Sequence, residues 1–227
     1  MKIANSIVEL LGRWSNRYCP DVILDKITGF KQHFYIGRLK PRFKKMEGWI
    51  NGRVSLHCPQ YISVGEGSII NDGVRLLCYD KFNDQTFIPQ ITIGRNTKIQ
   101  ENCFLSSTNM ISIGDNVAIT EHTVILDNIH GDFLDHHLTF NNNPDVPDVF
   151  LQEIKERPLF SKGPVRIEDS VHVGMFCTIL PSTKIGHHSI IAAHSVVSGR
   201  IPPYSLVAGN PARIVMTFGR KKKNSEK

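Results

Sequence analysis

Aliphatic side chains recur every six residues along most of this chain. In the clearest stretch, six of them follow one another in register, and a small or β-branched residue comes four places after each. The same spacing occurs between Val64 and Ile125, with a gap over residues 79–90. The register slips by two residues from Leu56 to Val64 and again from Leu105 to Ile113. The six positions of the clearest stretch are Ile167, Val173, Ile179, Ile185, Ile191 and Val197.

A six-residue period fits few structures. A helix would place apolar residues at i, i+3, i+4 and i+7, and an amphipathic strand would alternate by two. The period fits a parallel β-helix, in which each six residues form one short strand and one turn and three such units close a triangular coil. This fold places an aliphatic column at its centre. A β-sandwich with accidental spacing is disfavoured by the long unbroken register. Glycines that follow inward residues, such as Gly94 and Gly114, are expected at tightly turned corners.

The repeat is interrupted once at length. It stops in "ILDNIHGDF", residues 125–133, and returns at Val165. The intervening segment, residues 127–164, is rich in proline and asparagine ("FNNNPDVPD"), and we interpret it as an extruded loop. A loop of this length in a compact domain is usually functional or disordered. The gap at residues 79–90 is interpreted as a second, smaller loop.

Residues 163–215, "GPVRIEDSVHVGMFCTILPSTKIGHHSIIAAHSVVSGRIPPYSLVAGNPARIV", carry a resemblance to a known family. They resemble the hexapeptide-repeat acyltransferases, most closely the xenobiotic, galactoside and maltose acetyltransferases, and among these the O-acetyltransferases of bacterial surface polysaccharides. The likeness covers about residues 54–215, and its ending, "IPPYSLVAGNPARIV", resembles the closing motif of the family. It implies a left-handed coil, a homotrimer, and acetyl-CoA in a groove between subunits.

The fold class expected is therefore all-β. A left-handed parallel β-helix would span residues 50–215 and carry the extruded loop 127–164. Residues 1–49 would form a partly helical cap, since solenoids need covered ends. The segment 216–227 would be a basic tail. The alternative for the N-terminus is contact with the inner membrane. Its helical face comprises Ile3, Ile7, Leu10, Leu11 and Trp14.

Acetyl transfer from a thioester to a hydroxyl needs a base to take the hydroxyl proton, and histidine suits this role. His130 lies where the coil is interrupted, and its "DNIHG" context is similar to the family's catalytic histidine. A solvated loop histidine is the alternative. Asp127, Asp132 or a backbone carbonyl would orient its ring. His136 and His137 share the loop and are expected to be exposed.

The resemblance also implies a cofactor site. Two departures from the family pattern put its detailed contacts in doubt. His172 stands where the family commonly has tryptophan, and Ser198-Gly199 stand where it often has threonine-lysine, so that Arg200 would replace a lost phosphate contact. The positions matched to cofactor binding are Met175, Ala193, Ser198, Gly199, Arg200 and Arg213.

These observations predict an acetyl-CoA-dependent O-acetyltransferase acting by direct attack on a sugar hydroxyl of a surface polysaccharide, such as O-antigen or capsule, or of its precursor. N-acetylation of an amino sugar or another small molecule is the alternative. A metal-dependent hydratase would need histidines stacked three hexads apart. The coils hold no such pair, so no metal is expected. A non-catalytic β-helix subunit is disfavoured by the intact closing motif and the histidine-bearing loop.

Charge and cysteine content add limits. The net charge is +6, with basic clusters at residues 31–53 and 220–223, which would attract phosphates or an anionic membrane surface. No nucleic-acid-binding motif is present. Five cysteines without CxxC spacing fit a reducing compartment. With no signal peptide or membrane-spanning stretch recognised, we expect a cytoplasmic protein, with peripheral inner-membrane contact as an extension.

Overall fold

The structure is a computed structural model that describes residues 21–131, 138–161 and 163–219. The chain divides into two compact units, residues 1–41 and 42–227. The described part of the first unit is helix α1 (Asp21–Leu39), and a 3₁₀ turn follows at Lys40–Arg42. The apolar helical face predicted between Ile3 and Trp14 lies outside the described residues.

Among the helices that the structure describes, none combines the length and the apolar character needed to cross a bilayer.

The second unit is built almost entirely of short strands. It also contains helix α2 (Asp148–Leu151) and 3₁₀ turns at Pro59–Tyr61 and Ile154–Glu156. In chain order the strands are β1 (Lys45–Met46), β2 (Trp49–Ile50), β3 (Ser55–His57), β4 (Ile62–Val64), β5 (Ile69–Ile70), β6 (Arg75–Cys78), β7 (Lys81–Phe82), β8 (Gln85–Thr86), β9 (Gln90–Ile93), β10 (Lys98–Ile99), β11 (Phe104–Ser107), β12 (Met110–Ile113), β13 (Ala118–Ile119), β14 (Val124–Leu126), β15 (Ile129–His130), β16 (Leu159–Phe160), β17 (Val165–Ile167), β18 (His172–Val173), β19 (Thr178–Ile179), β20 (Lys184–Ile185), β21 (Ile190–Ile191), β22 (Val196–Val197), β23 (Arg200–Ile201), β24 (Ser205–Gly209) and β25 (Ala212–Thr217).

These strands form a parallel β-helix of three sheets, which confirms the fold predicted from the repeat. Sheet A has the order β1-β4-β9-β12-β17-β20-β23, sheet B the order β2-β5-β10-β13-β18-β21-β24-β25, and sheet C the order β22-β19-β14-β11-β6-β3. The chain visits A, B and C in turn, so three strands make one coil. The first coil begins at Lys45, inside the segment 1–49 that the sequence assigned to the cap.

The six-residue repeat marks the inside of the coils. All six aliphatic positions from Ile167 to Val197 are at most 2% exposed, and the small or β-branched residues four places after each are also buried. In sheet B, parallel pairing stacks Ile99 on Ile119, Ile119 on Val173 and Val173 on Ile191. Burying one such side chain contributes roughly 1.5–3 kcal/mol. The stacked column is therefore the main source of stability.

Two of the three corners are uniform. From the second coil to the sixth, four residues join sheet A to sheet B and four join sheet B to sheet C. The third of the four residues in each of these corners has positive φ, as at Asn96, Asn116 and His122. Gly94 and Gly114 stand at the first corner position, where φ is not positive. A Cβ on Gly94 would lie 2.5 Å from the carbonyl oxygen of Gly114 in the next coil. Close backbone approach, rather than turning, therefore requires this glycine.

The third corner, from sheet C to sheet A, varies in length. We call it the insertion corner; in the first four coils it comprises residues 58–61, 79–89, 108–109 and 127–164. Both slips of the sequence repeat and both of its interruptions fall at this corner. The segment at 79–89 is a β-hairpin of β7 and β8 rather than an irregular loop.

The difference between inward and outward positions can be tested on one strand, β10. We expect Ile99→Ala to lower the free energy of unfolding by about 2–5 kcal/mol, because Ile99 is fully buried in the column. Its exposed neighbour provides the control: Lys98→Ala should change this free energy by less than about 0.5 kcal/mol. Denaturant titration at fixed protein concentration measures both. Equal losses in the two variants would contradict the inward assignment.

Candidate active site

His130 lies at the start of the longest excursion from the coil. Strand β15 pairs antiparallel with β16, which places His130 opposite Leu159. Beyond the pair, the Gly131 amide donates to the Pro158 carbonyl over 2.8 Å. Backbone pairing thus closes the base of the loop predicted at 127–164 and fixes the backbone of His130, while its side chain remains exposed.

The hairpin at 79–89 holds the returning strand of this loop. Gln85 Nε2 donates to the Leu159 carbonyl over 3.0 Å, and the Leu159 amide donates back to Gln85 Oε1 over 2.8 Å. Asn83 Nδ2 also donates to the Lys155 carbonyl over 3.3 Å. Because Leu159 pairs with His130, the Gln85 amide fixes the strand partner of His130.

A cavity of about 410 Å³ lies between the hairpin, the loop and the outer face of sheet C. His130 borders this cavity, and its ring centroid is 5.3 Å from that of Phe82 in an edge-on arrangement. Such a concave, mostly apolar space with a few polar groups is typical of small-molecule sites. The cavity is lined by Tyr79, Phe82, Phe104, Ser106, Leu126, Asn128, Ile129, His130 and Leu159.

Asp127 is a fully buried carboxylate beside this cavity. Its oxygens accept hydrogen bonds from Ser107 Oγ at 2.6 Å, from the backbone amides of Thr108 and Asn109 at 2.8 and 3.1 Å, and from Asn128 Nδ2 at 3.0 Å. Burying a charge without such partners would be very costly. Asp127 therefore joins two excursions of the insertion corner, at 108–109 and 127–164.

The expectation that Asp127 orients His130 is not met by these contacts. None of the hydrogen bonds of Asp127 among the described residues goes to His130, because the surrounding donors occupy both carboxylate oxygens. The other predicted partner, Asp132, lies outside the described residues, as do His136 and His137.

The described cysteines are poor nucleophiles. Burial and, as the next cause, the nearby charge of Asp127 together raise the pKa of Cys78 to about 12. Burial also raises the pKa of Cys103 to about 11 and raises that of Cys177. Since the thiolate is the reactive form, an acyl-cysteine intermediate at these buried positions is disfavoured.

The residues matched to cofactor binding lie mainly at the two sides of sheet C in the fifth and sixth coils, counted from Lys45. Met175 and Ala193 are exposed at the sheet B to sheet C corner, where the His194 amide donates to the Met175 carbonyl. Ser198 and Gly199 form the opposite corner, from sheet C to sheet A. Gly199 has φ +74, and a Cβ added there would meet no atom within 4 Å.

The two basic residues of this set are separated by the topology. Arg200 begins the next sheet A strand directly after Gly199. Arg213 lies on β25, which pairs antiparallel with β24 of sheet B, and its guanidinium donates to the Ala212 carbonyl over 2.9 Å. Both side chains are exposed.

Sequence reasoning missed the hairpin and its aromatic residues. The segment "KFNDQTF", residues 81–87, places the two-residue turn Asn83-Asp84 between strand-compatible pairs, a hairpin signal. Asn83 adopts φ +50, the left-handed conformation that asparagine tolerates. This local pattern predicts the hairpin, whereas nothing in it predicts the partner strand 74 residues later.

The acceptor role of Asp127 can be tested with Asp127→Asn. The carboxylate of Asp127 has two acceptor oxygens, whereas the amide of asparagine has only one. The NH₂ group that replaces the other oxygen would face N–H donors. We expect a loss of about 1–3 kcal/mol in the free energy of unfolding for the donor left unsatisfied, and faster amide exchange at Thr108 and Asn109. The exposed Asp145→Asn provides the control. Unchanged stability in Asp127→Asn would contradict this role.

The hairpin contact can be tested with Gln85→Met, which keeps side-chain length and removes both hydrogen bonds. Hydrogen exchange at the Leu159 amide should become at least several-fold faster, and proteolysis between residues 131 and 158 should accelerate. Exchange in the coils should be unaffected. Asp84→Ala, which changes an exposed residue of the hairpin turn, provides the control. A protected Leu159 amide in Gln85→Met would show that the loop is held by other contacts.

Known proteins agree with this architecture. A family model described as bacterial transferase hexapeptide (six repeats) matches residues 164–199. WbbJ of Escherichia coli (strain K12), named as an O-acetyl transferase of lipopolysaccharide biosynthesis, is 28% identical over 166 residues, which are 73% of this chain and 76% of WbbJ. The galactoside O-acetyltransferase of the same organism is 27% identical over 142 residues, 59% of this chain and 66% of that protein.

A solved structure shows the same fold. AntD, an N-acyltransferase from Bacillus cereus in complex with dTDP and 3-hydroxybutyryl-CoA, superposes with a TM-score of 0.62 at 22% identity, covering 82% of this chain and 89% of AntD. The β-helix is thus of the left-handed type that the family resemblance implied. With the hexapeptide match and acetyltransferase relatives, the chain carries a bacterial transferase hexapeptide repeat and is similar to the hexapeptide-repeat acyltransferases.

Proposed function

We propose that this acyltransferase is an acetyl-CoA-dependent O-acetyltransferase that modifies a sugar hydroxyl of a bacterial surface polysaccharide or of its precursor, with His130 as general base. The observation that carries the proposal is the position of His130. It borders an aromatic cavity on sheet C, the same sheet whose upper strands lie between the residues matched to cofactor binding.

The outer face of sheet C connects the two places. Parallel pairing sets Phe104 beside Val124, Val124 beside Thr178 and Thr178 beside Val196. All four are partly exposed, and Phe104 lines the His130 cavity. An extended thioester bound over Thr178 and Val196 would have a continuous, mostly apolar path along this face to His130.

The reaction follows from this arrangement. His130 takes the proton of the acceptor hydroxyl as its oxygen attacks the thioester carbonyl. The new carbon–oxygen bond forms, the carbon–sulfur bond breaks, and the proton goes to the departing thiolate, which gives the acetyl ester and free coenzyme A. Attack is direct, which agrees with the raised pKa values of the buried thiols.

The cofactor contacts form the second part of the proposal. Backbone groups at Met175 and Ala193 and at Ser198 and Gly199 would hold the pantetheine arm, and Arg200 or Arg213 would approach a phosphate. Arginine suits phosphate because its planar donors bind two oxygens together. AntD is known in complex with 3-hydroxybutyryl-CoA, which supports a coenzyme A thioester as donor on this fold.

The assembly and location remain part of the proposal. A homotrimer would cover the partly exposed apolar positions of sheet C and complete the cofactor groove. Of the segment 1–49, the residues before the first coil at Lys45 would form the cap. Of the basic tail 216–227, the residues beyond the end of β25 at Thr217 would remain solvated. We place the protein in the cytoplasm, with peripheral inner-membrane contact if its acceptor is lipid-linked. The name of WbbJ, which refers to lipopolysaccharide biosynthesis, supports a glycan acceptor.

The test uses the purified full chain with acetyl-CoA and a panel of glycans, following thiol release and acetyl-sugar mass. His130→Ala should lower kcat/KM by about 10²–10⁴, the usual contribution of a positioned base. His188→Ala provides the control, because His188 is an exposed histidine at the sheet A to sheet B corner, and its kcat/KM should stay within about two-fold.

Two outcomes would overturn the proposal. Undiminished turnover by His130→Ala would remove His130 as the base. Acetylation of amino sugars with no ester product from any glycan would replace the O-acetyltransferase with the N-acetyltransferase alternative. AntD is itself an N-acyltransferase, so amine acceptors belong in the panel.

A further inference from the structure

The cavity beside His130 has a distinctive chemistry. Three of its lining residues are aromatic (Tyr79, Phe82 and Phe104), and three are aliphatic (Leu126, Ile129 and Leu159). No aspartate, glutamate, lysine or arginine lines it among the described residues. Its polar residues are Ser106, Asn128, His130 and, through its hydroxyl, Tyr79.

The nearest charged groups are already engaged elsewhere. The Asp127 carboxylate is fully buried within its hydrogen bonds. Asp80 accepts a hydrogen bond from Tyr61 Oη over 3.2 Å. The Arg75 guanidinium stacks over the Phe104 ring at 4.7 Å and does not line the cavity. Among the described residues that line the cavity, a negatively charged ligand would therefore meet no cationic side chain other than a protonated His130.

The polar groups are also few and partly committed. Asn128 Nδ2 donates to the Ser106 carbonyl over 3.1 Å and to Asp127 over 3.0 Å. Both Ser106 and Asn128 are buried, so each can satisfy at most a small number of ligand hydroxyls. A ligand with many hydroxyls pointing at the aromatic walls would leave them unpaired, which is costly.

We propose that this cavity binds one uncharged pyranose ring of the acceptor, with the C–H face of the sugar packed on Phe82 and its aromatic neighbours and one hydroxyl directed at His130. This inference rests on the proposed function and names its acceptor class. An aromatic ring offers an apolar surface that matches the apolar face of a pyranose. A sugar carboxylate would be desolvated here with no cationic partner among the described lining residues except His130, which can act as the base only in its neutral form. Uronic and sialic acids are therefore excluded as the ring that receives the acetyl group.

The cavity volume of about 410 Å³ lies within the range of roughly 300–1,000 Å³ found for ligand sites, and so does not exclude a sugar ring. The hairpin supplies Phe82, and the Gln85 amide ties that hairpin to the strand paired with His130. The sugar platform and the base thus belong to one hydrogen-bonded unit, which would keep the hydroxyl in line with His130.

The first experiment varies only the substituent at sugar carbon 6. Methyl pyranosides of the galacto, gluco and manno series are compared as the 6-deoxy sugar, the parent hexose and the uronate. Wild-type kcat/KM for acetylation should be equal or higher for the 6-deoxy sugar than for the hexose, and at least about 100-fold lower for the uronate. A uronate that is acetylated as well as its parent hexose in the preferred series overturns the inference.

The second experiment asks whether the Phe82 ring binds sugar. Phe82→Leu should raise the acceptor KM about ten-fold and leave the acetyl-CoA KM unchanged, whereas Phe82→Tyr, which keeps the ring, should stay within about three-fold. Phe104→Leu is the second variant if Phe82→Leu does not fold. A loss of kcat in Phe82→Leu with unchanged acceptor KM would show that Phe82 only supports His130, and would overturn the inference.

Saturation-transfer NMR without acetyl-CoA separates the inference from the proposed function. Binding of neutral methyl pyranosides that is weakened in Phe82→Leu supports the cavity assignment even if no sugar is acetylated, which would refute the O-acetyltransferase alone. Acetylation of sugars with no effect of Phe82→Leu or Phe104→Leu on acceptor KM refutes the cavity assignment alone.

Discussion

The stacking of each coil on the next is the constraint from which the rest of this structure follows. Neighbouring strands must keep their spacing of about 4.8 Å while an aliphatic side chain from each coil fills the column. At the sheet A to sheet B corner this brings backbone against backbone, so that even a Cβ on Gly94 would collide with the next coil. This corner has four residues in each coil from the second to the sixth. Over the part of the chain that the structure describes, the insertions lie instead at the sheet C to sheet A corner.

Gathering the insertions at one corner has a structural consequence. Their connections project from successive coils and contact one another: Tyr61 bonds Asp80, Gln85 bonds Leu159, and Thr108 and Asn109 bond Asp127. None of these segments has a large core of its own. They are ordered by directional hydrogen bonds, several of them buried, and each is worth more in such surroundings than in water. A rigid pocket thus arises from segments that would be irregular in isolation.

Much of the coil could be predicted from the sequence because its physics is periodic. One inward residue in six fixes register, burial and sheet membership, and Ile167 to Val197 lie where the spacing places them. The break after Ile125 also predicted that the chain leaves the coil next to His130, which lies on β15 directly after the last strand of the fourth coil. The contacts of the insertion corner could not be predicted in this way, because Gln85 and Leu159 are far apart in the chain and share no pattern. Asp127 shows the same limit. Proximity in sequence suggested a partner for His130, whereas the local backbone donors use its oxygens.

The separation between coil and corner also bears on specificity. Met175 and Ala193, two of the residues matched to the cofactor, lie at the sheet B to sheet C corner, which has four residues from the second coil to the sixth. The cavity beside His130, which we propose as the acceptor site, is formed in part by insertion segments of variable length, and the entropy cost of lengthening a loop grows only slowly with its length. The hairpin can therefore be extended or replaced while the column and the thioester path along sheet C stay intact. Under the proposed function, the coils would therefore set the donor, and the choice of acceptor would be set by the insertion corner.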